Sequence, residues 1–265
     1  MYLGFKKSRA AMIAIIVFSV ILCVLVWIRD RELEVYIPIL ASAFLLAIGY
    51  LTGRLVANLV ATSETTRALG LLHMELDPQA FIDKYKSVPD RVPEKSRDRI
   101  IAGFYLADGY DALGDFTAAL DALRRPSDDR KNDDALMGTY YSSLIRSELG
   151  LSDFENAEKH LALLDRLTIQ TPKKDLTAHL RANHNLYSAL LAVMKGEVID
   201  TAALKKAFEK TEYEMRRLEL LNVFALNDKN RGAVNSEKES LNLLAEHGGK
   251  TRYAEAARKR LESLN

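Results

Sequence analysis

Cysteine is almost absent from this chain: Cys23 is the only one in 265 residues. No intramolecular disulfide can form, so the fold must be held by a packed core, and a reducing compartment fits. A basic surplus is missing too. Residues 1–60 hold six Lys/Arg against three Asp/Glu, which leaves 31 against 33 of the totals of 37 and 36 for the remainder. A near-neutral domain lacks the cationic excess that phosphate-dominated recognition needs, so nucleic acid is not expected as a partner. Phosphate-loop, dinucleotide-binding and nucleophile-elbow patterns do not occur. Of the five histidines, His73, His160, His179, His184 and His247, none pairs at the three- or four-residue spacing that aligns two ligands on one helical face. They read as surface or capping residues. No metal or cofactor is required and no catalytic residue emerges, which points to a non-enzymatic protein.

Long apolar runs are present, and both lie near the start. Ala10 to Ile28 is 19 residues without a charge, and Val35 to Gly53 is another 19. At about 1.5 Å per residue each matches a hydrocarbon core of about 30 Å. Trp27, Tyr36 and Tyr50 are placed as interfacial aromatics, and Pro38 falls in a first turn where a missing N–H does little harm. We expect transmembrane helices over about 10–28 and 35–55, within an anchor spanning 1–61. The link from Arg29 to Glu34 is short enough to force a hairpin. Lys6, Lys7 and Arg9 before the first helix, with Arg54 and Arg67 after the second, place the C-terminal domain in the cytoplasm by the positive-inside rule. A cleaved signal peptide fits less well, because the first run is long, ends in charges and lacks a suitable small-x-small site after it.

Beyond the anchor, proline is sparse (Pro78, Pro89, Pro93, Pro126 and Pro172) and apolar residues recur at helical spacing. Asp77-Pro78 reads as an N-cap followed by proline at the first helical position, opening a helix that carries Phe81, Ile82 and Tyr85. A separate helix is expected before it, over roughly Ser63 to Glu75. Helices are expected again over about Glu212–Leu226, Ser236–Glu246 and Tyr253–Leu264, the last two divided by Gly248-Gly249.

Two stretches are alike. Tyr105 to Leu123, YLADGYDALGDFTAALDAL, is echoed by YYSSLIRSELGLSDFENAEKHLALL from Tyr140 to Leu164. Each has an aromatic, apolar helix, a glycine stop, Asp-Phe, and a second helix opening with alanine. Here the chain resembles the tetratricopeptide repeat family, in its membrane-anchored bacterial form. Ala107, Tyr110, Gly114, Asp115, Phe116 and Ala119 match the family's signature in the first copy. Gly150, Asp153, Phe154 and Ala157 match it in the second, with Leu151 and Ser152 as an insertion. A weaker copy over about 180–210 carries Tyr187, Ala189, Gly196, Ala203 and Phe208.

The resemblance implies an all-α fold in which a right-handed helical-repeat solenoid over 62–265 follows the two-helix hairpin. Its clearest repeats cover about 101–126 and 136–167, and residues 211–265 cap it. It also implies a groove lined by the first helix of each repeat: Phe104, Asp108 and Asp111; Tyr140, Leu144 and Ser147; and Asn183, Leu186 and Leu190. That groove would be acidic and aromatic and would suit a basic or apolar protein segment. The alternative for these apolar positions is packing between neighbouring helices. The function expected is a membrane-tethered protein-interaction scaffold. The second reading is a subunit of a larger membrane complex held through the hairpin, where Gly49 and Gly53 would let a partner helix approach.

Overall fold

The computed structural model describes residues 5–29, 36–94, 96–123 and 133–264; among them the regular elements are twelve α-helices and a 3₁₀ turn at Pro89–Arg91, with no strand. The chain divides into two compact units, Met1–Ala68 and Leu69–Asn265. All of the expected hairpin link but Arg29, and most of the polar stretch Ser127 to Asp134, lie outside the described residues.

The first unit contains α1 (Phe5–Arg29) and most of α2 (Tyr36–His73). Both helices are long and apolar enough to cross a membrane, over Arg9–Ile28 and Ile37–His73. The separate helix expected from Ser63 is instead the continuation of α2. No proline follows Pro38 in this stretch to break it, and Thr65 Oγ1 donates to Ala61 O at 2.9 Å without disturbing the turn. Where α1 meets α2, α2 presents small residues, Ser42, Gly49 and Gly53. A Cβ on Gly49 would overlap the Ser19 hydroxyl, and one on Gly53 would press on Met12 at 3.3 Å. Trp27 Nε1 donates to Ser42 Oγ at 3.1 Å, and Cys23 Sγ donates to Ser42 O at 3.6 Å. Gly49 and Gly53 are therefore occupied by the chain's own first helix, which removes the basis for expecting a partner helix there.

In the second unit, α3 (Pro78–Tyr85) starts as the sequence implies, with the Asp77 carboxylate accepting from Ala80 N. Four helical hairpins follow: α4 (Arg97–Leu113) with α5 (Phe116–Ala122), α6 (Asp134–Gly150) with α7 (Phe154–Gln170), α8 (Lys174–Met194) with α9 (Ala202–Lys210), and α10 (Glu214–Asn230) with α11 (Val234–His247). The first helix of every hairpin ends in the same way. A left-handed residue (Gly114, Ser152, Gly196 or Gly232) follows it, and the next amide reaches back to the last turn: Asp115 N to Tyr110 O, Asp153 N to Glu148 O, Glu197 N to Ala192 O and Ala233 N to Asp228 O. Such a cap satisfies carbonyls that a helix end leaves free, and glycine reaches it without steric cost.

The second copy corrects one expectation. Gly150 is not the stop: it lies inside α6, and Ser152, at φ 59°, takes the left-handed position. Gly150 has another task, because the Phe116 ring fills the space where its Cβ would project. Asp115 and Asp153 then cap α5 and α7 by accepting from Ala118 N and Asn156 N, and Asp133 does the same for α6 through Leu136 N.

Consecutive first helices are neighbours, α4 on α6, α6 on α8 and α8 on α10. The last helix, α12 (Arg252–Ser263), packs on α11 and also touches α4. Lys250 extends this return: its amide donates to Leu76 O at 2.9 Å, and its ammonium lies 2.5 Å from the Asp77 carboxylate. The core is continuous from Ile145 and Leu149 on α6 through Leu186 on α8 to Leu218 and Val223 on α10, reaching Leu244 and Tyr253.

Candidate functional site

The first helices of the hairpins bring most of the expected groove residues together, but many of them face one another rather than water. Phe104 is buried, with its ring centroid 6.4 Å from that of Tyr140. Tyr140 and Leu144 are half-buried on the small cluster formed by Ile100, Phe104, Ala119 and Leu136. Ser147, Leu186 and Leu190 are buried. Asn183 bridges inward: its Nδ2 donates to Ser142 Oγ at 3.2 Å, and its Oδ1 accepts from Arg216 at 3.1 Å.

Asp108 and Asp111 lie in a charge network that the sequence reading did not foresee. At its centre is Arg146 of α6, paired with Asp108, with Asp111 at 3.1 Å and with Glu219 of α10 at 3.3 Å. Arg216 reaches Glu219 at 3.2 Å, and Arg252 of α12 lies 3.6 Å from Asp111. Three carboxylates thus meet three guanidiniums, which makes the set charge-balanced. Burial in a medium of low polarity makes such a balance necessary, since an uncompensated ion there is costly. Burial pushes the Asp108 carboxyl above its usual range against the opposing pull of Arg146. For Arg146, burial alone would lower the affinity for its proton, but Asp108, Tyr187, Asp111 and Glu219 together raise it. The Tyr187 phenol is pushed up to about 12, first by burial and then by Glu219.

Arg252 has a second role. Its guanidinium lies 4.9 Å from the Phe116 ring centroid and 4.3 Å from that of Tyr253, in the geometry of cation–π attraction. The signature residue Phe116 therefore touches the next hairpin at Gly150 and the terminal helix at Arg252. Ala119 and Ala157 are fully buried and allow close helix approach; Ala107 is buried as well. Tyr110 and Phe154 are half-buried and packed against the two cores.

Arg216 belongs to this network, and Arg217 lies 4.9 Å from the Phe208 ring centroid. One other sequence reading changes: His160 is not a simple surface residue. Its Nδ1 sits 2.8 Å from the buried Glu148 carboxylate, and its ring stacks on Tyr141. One signal of the network was present in the sequence. In the register set by the left-handed residues Gly114 and Ser152, Asp108 and Arg146, 38 residues apart, place opposite charges at equivalent positions of successive repeats. Among the described residues, no three His, Cys, Asp or Glu side chains converge as metal ligands would.

Comparison of the chain with protein-family models, curated proteins and solved structures gives no match.

Proposed function

We propose that this chain is a non-enzymatic scaffold that is anchored in a membrane by α1 and α2 and offers a tetratricopeptide-like helical domain to a protein partner on the cytoplasmic side. One observation carries the reading: the polarity of α1 and α2 is inverted. Phe18, Leu40 and Phe44 expose 61%, 65% and 67% of their surface, while Ser19 and Cys23 are buried. A contiguous apolar surface of this kind suits lipid and is not tolerated in water. At 38 residues α2 is about 57 Å long, roughly twice a hydrocarbon core, so much of it extends beyond the bilayer. The basic residues Arg54 and Arg67 then belong to its cytoplasmic portion.

The repeated left-handed turn and aspartate cap support the repeat architecture. With Asp108 and Asp111 committed to Arg146, the acidic character assigned to the groove is neutralised from within. Tyr140 and Leu144 are the part of it that remains half open, and an apolar partner segment suits them better than a basic one. Tethering raises the local concentration of such a partner, which offsets a small interface.

The test is crosslinking and purification of the full chain, of a version lacking residues 1–60, and of the full chain carrying Tyr140→Ala and Leu144→Ala. A partner kept by the truncated version and lost from the double variant supports the scaffold. A partner that follows the hairpin alone supports a subunit role instead.

A further inference from the structure

The third hairpin departs from the other three. In α4/α5, α6/α7 and α10/α11 the two helices pack directly, whereas α9 rests on α10 and stands off from α8. A cleft of about 720 Å³ separates them. Its walls are Ala189 and Ala192 of α8 and Ala203 and Ala207 of α9, and the buried Leu186 and Leu220 also line it. Facing alanines ordinarily let helices approach to about 8 Å and seal the space between them. Here they line a gap of the size that takes a small ligand, and close-packed interiors do not keep such gaps.

The cleft is polarised along its length. Because α9 runs back along α8, Asn185 lies at the same end as Lys210, Thr211 and Arg216, while Ala192, Ile199 and Ala203 lie at the other. Of the charged lining residues, Arg216 is held by Glu219 and by the carbonyl of Ala182. Asp200 sits at the apolar end and caps Ala202 N at 2.9 Å, and His184 lies 4.0 Å from Asp165. Lys210 alone of them has no hydrogen-bond or ion-pair partner among the described residues, and it is exposed at the rim.

We infer that this cleft binds an acyl chain bearing an anionic end, with the hydrocarbon between the alanine walls and the head at Lys210. An extended peptide fits less well, because alanine walls leave its amides and carbonyls without partners. Either a free fatty acid or an anionic phospholipid supplies the chemistry, and a chain whose first helices suit a bilayer has both at hand.

The full chain in detergent is labelled with a diazirine-bearing palmitate, and the crosslinked residues are mapped by mass spectrometry. Diazirine hexadecanol and diazirine phosphatidylglycerol serve as parallel probes. Labelling of 185–211 by either anionic probe, weaker by about two- to fivefold in Lys210→Gln and restored in Lys210→Arg, is the expected result. Relative labelling by palmitate and phosphatidylglycerol identifies the source. Ala189→Phe with Ala207→Phe should abolish labelling there while the α1 and α2 signal persists. Equal labelling by hexadecanol, no labelling of 185–211, labelling unchanged in the filled variant, or displacement by an apolar peptide but not by palmitate would each overturn the inference.

Discussion

The two units of this chain solve packing in opposite ways. In the α1/α2 pair the side chains between the helices are small or weakly polar, Ser19, Ser42, Cys23 and Gly49, and the large apolar ones point outward. In the unit from Leu69 onward the large apolar side chains are inside, and a set of paired charges is inside with them. On the proposed membrane reading, the physical cause is the surrounding medium. Water drives apolar groups together, so the helical domain is organised around leucines. Lipid provides no such drive, and helices there gain from close backbone approach, which needs small residues. Composition averaged over the whole chain conceals this division.

The largest blow to the contrast comes from the domain side. Arg146→Met leaves the carboxylates of Asp108, Asp111 and Glu219 without their shared cation and should cost about 3–5 kcal/mol, read as a fall in thermal midpoint with α1 and α2 unaffected. On the anchor side, Gly49→Leu should separate the helices. Cys23 and a cysteine placed by Ser42→Cys should crosslink in the parent and fail to do so with Gly49→Leu. Gly150→Val drives a side chain into the Phe116 ring and should cost about 1–3 kcal/mol in denaturant melts, because overpacking strains a filled core. The smallest effect is expected at the α3 cap. Asp77→Ala should cost about 1 kcal/mol. The Lys250 ammonium and the Ala80 amide hold the Asp77 carboxyl below its usual range, so its contribution is present above the ordinary aspartate pKa and is lost as pH falls through the lowered one. The difference between parent and Asp77→Ala should therefore shrink in acid.

Much of the helical pattern was legible in the sequence, because its signals are local. Asp77-Pro78, Gly114-Asp115-Phe116 and Asp153-Phe154 each announce a helix boundary within a few residues. The fourth hairpin was missed as a repeat because Gly232-Ala233-Val234 makes the same left-handed turn without the Asp-Phe pair. The length of α2 was missed because hydropathy stops near Gly53 while helical propensity does not. The surroundings of the expected groove residues were not legible in the sequence. Burial of Asp111 depends on Arg252 of α12, and the Asp77–Lys250 pair spans 173 positions, so neither follows from periodicity.

The inward charges also show why partner binding should be tested away from Asp108 and Asp111. Replacing either removes a counter-ion of Arg146, and a loss of binding would then report unfolding. Tyr140 and Leu144 pack on the Phe104 cluster, so a thermal melt of their double variant accompanies the binding assay.

The central claim is that the first unit faces lipid and the second faces water. Alkaline carbonate extraction of membranes from cells expressing the full chain and the version lacking residues 1–60 tests it most directly. The account predicts that the full chain stays with the membrane pellet while the truncated chain is released as a folded, helical protein. Release of the full chain into the carbonate supernatant would contradict it.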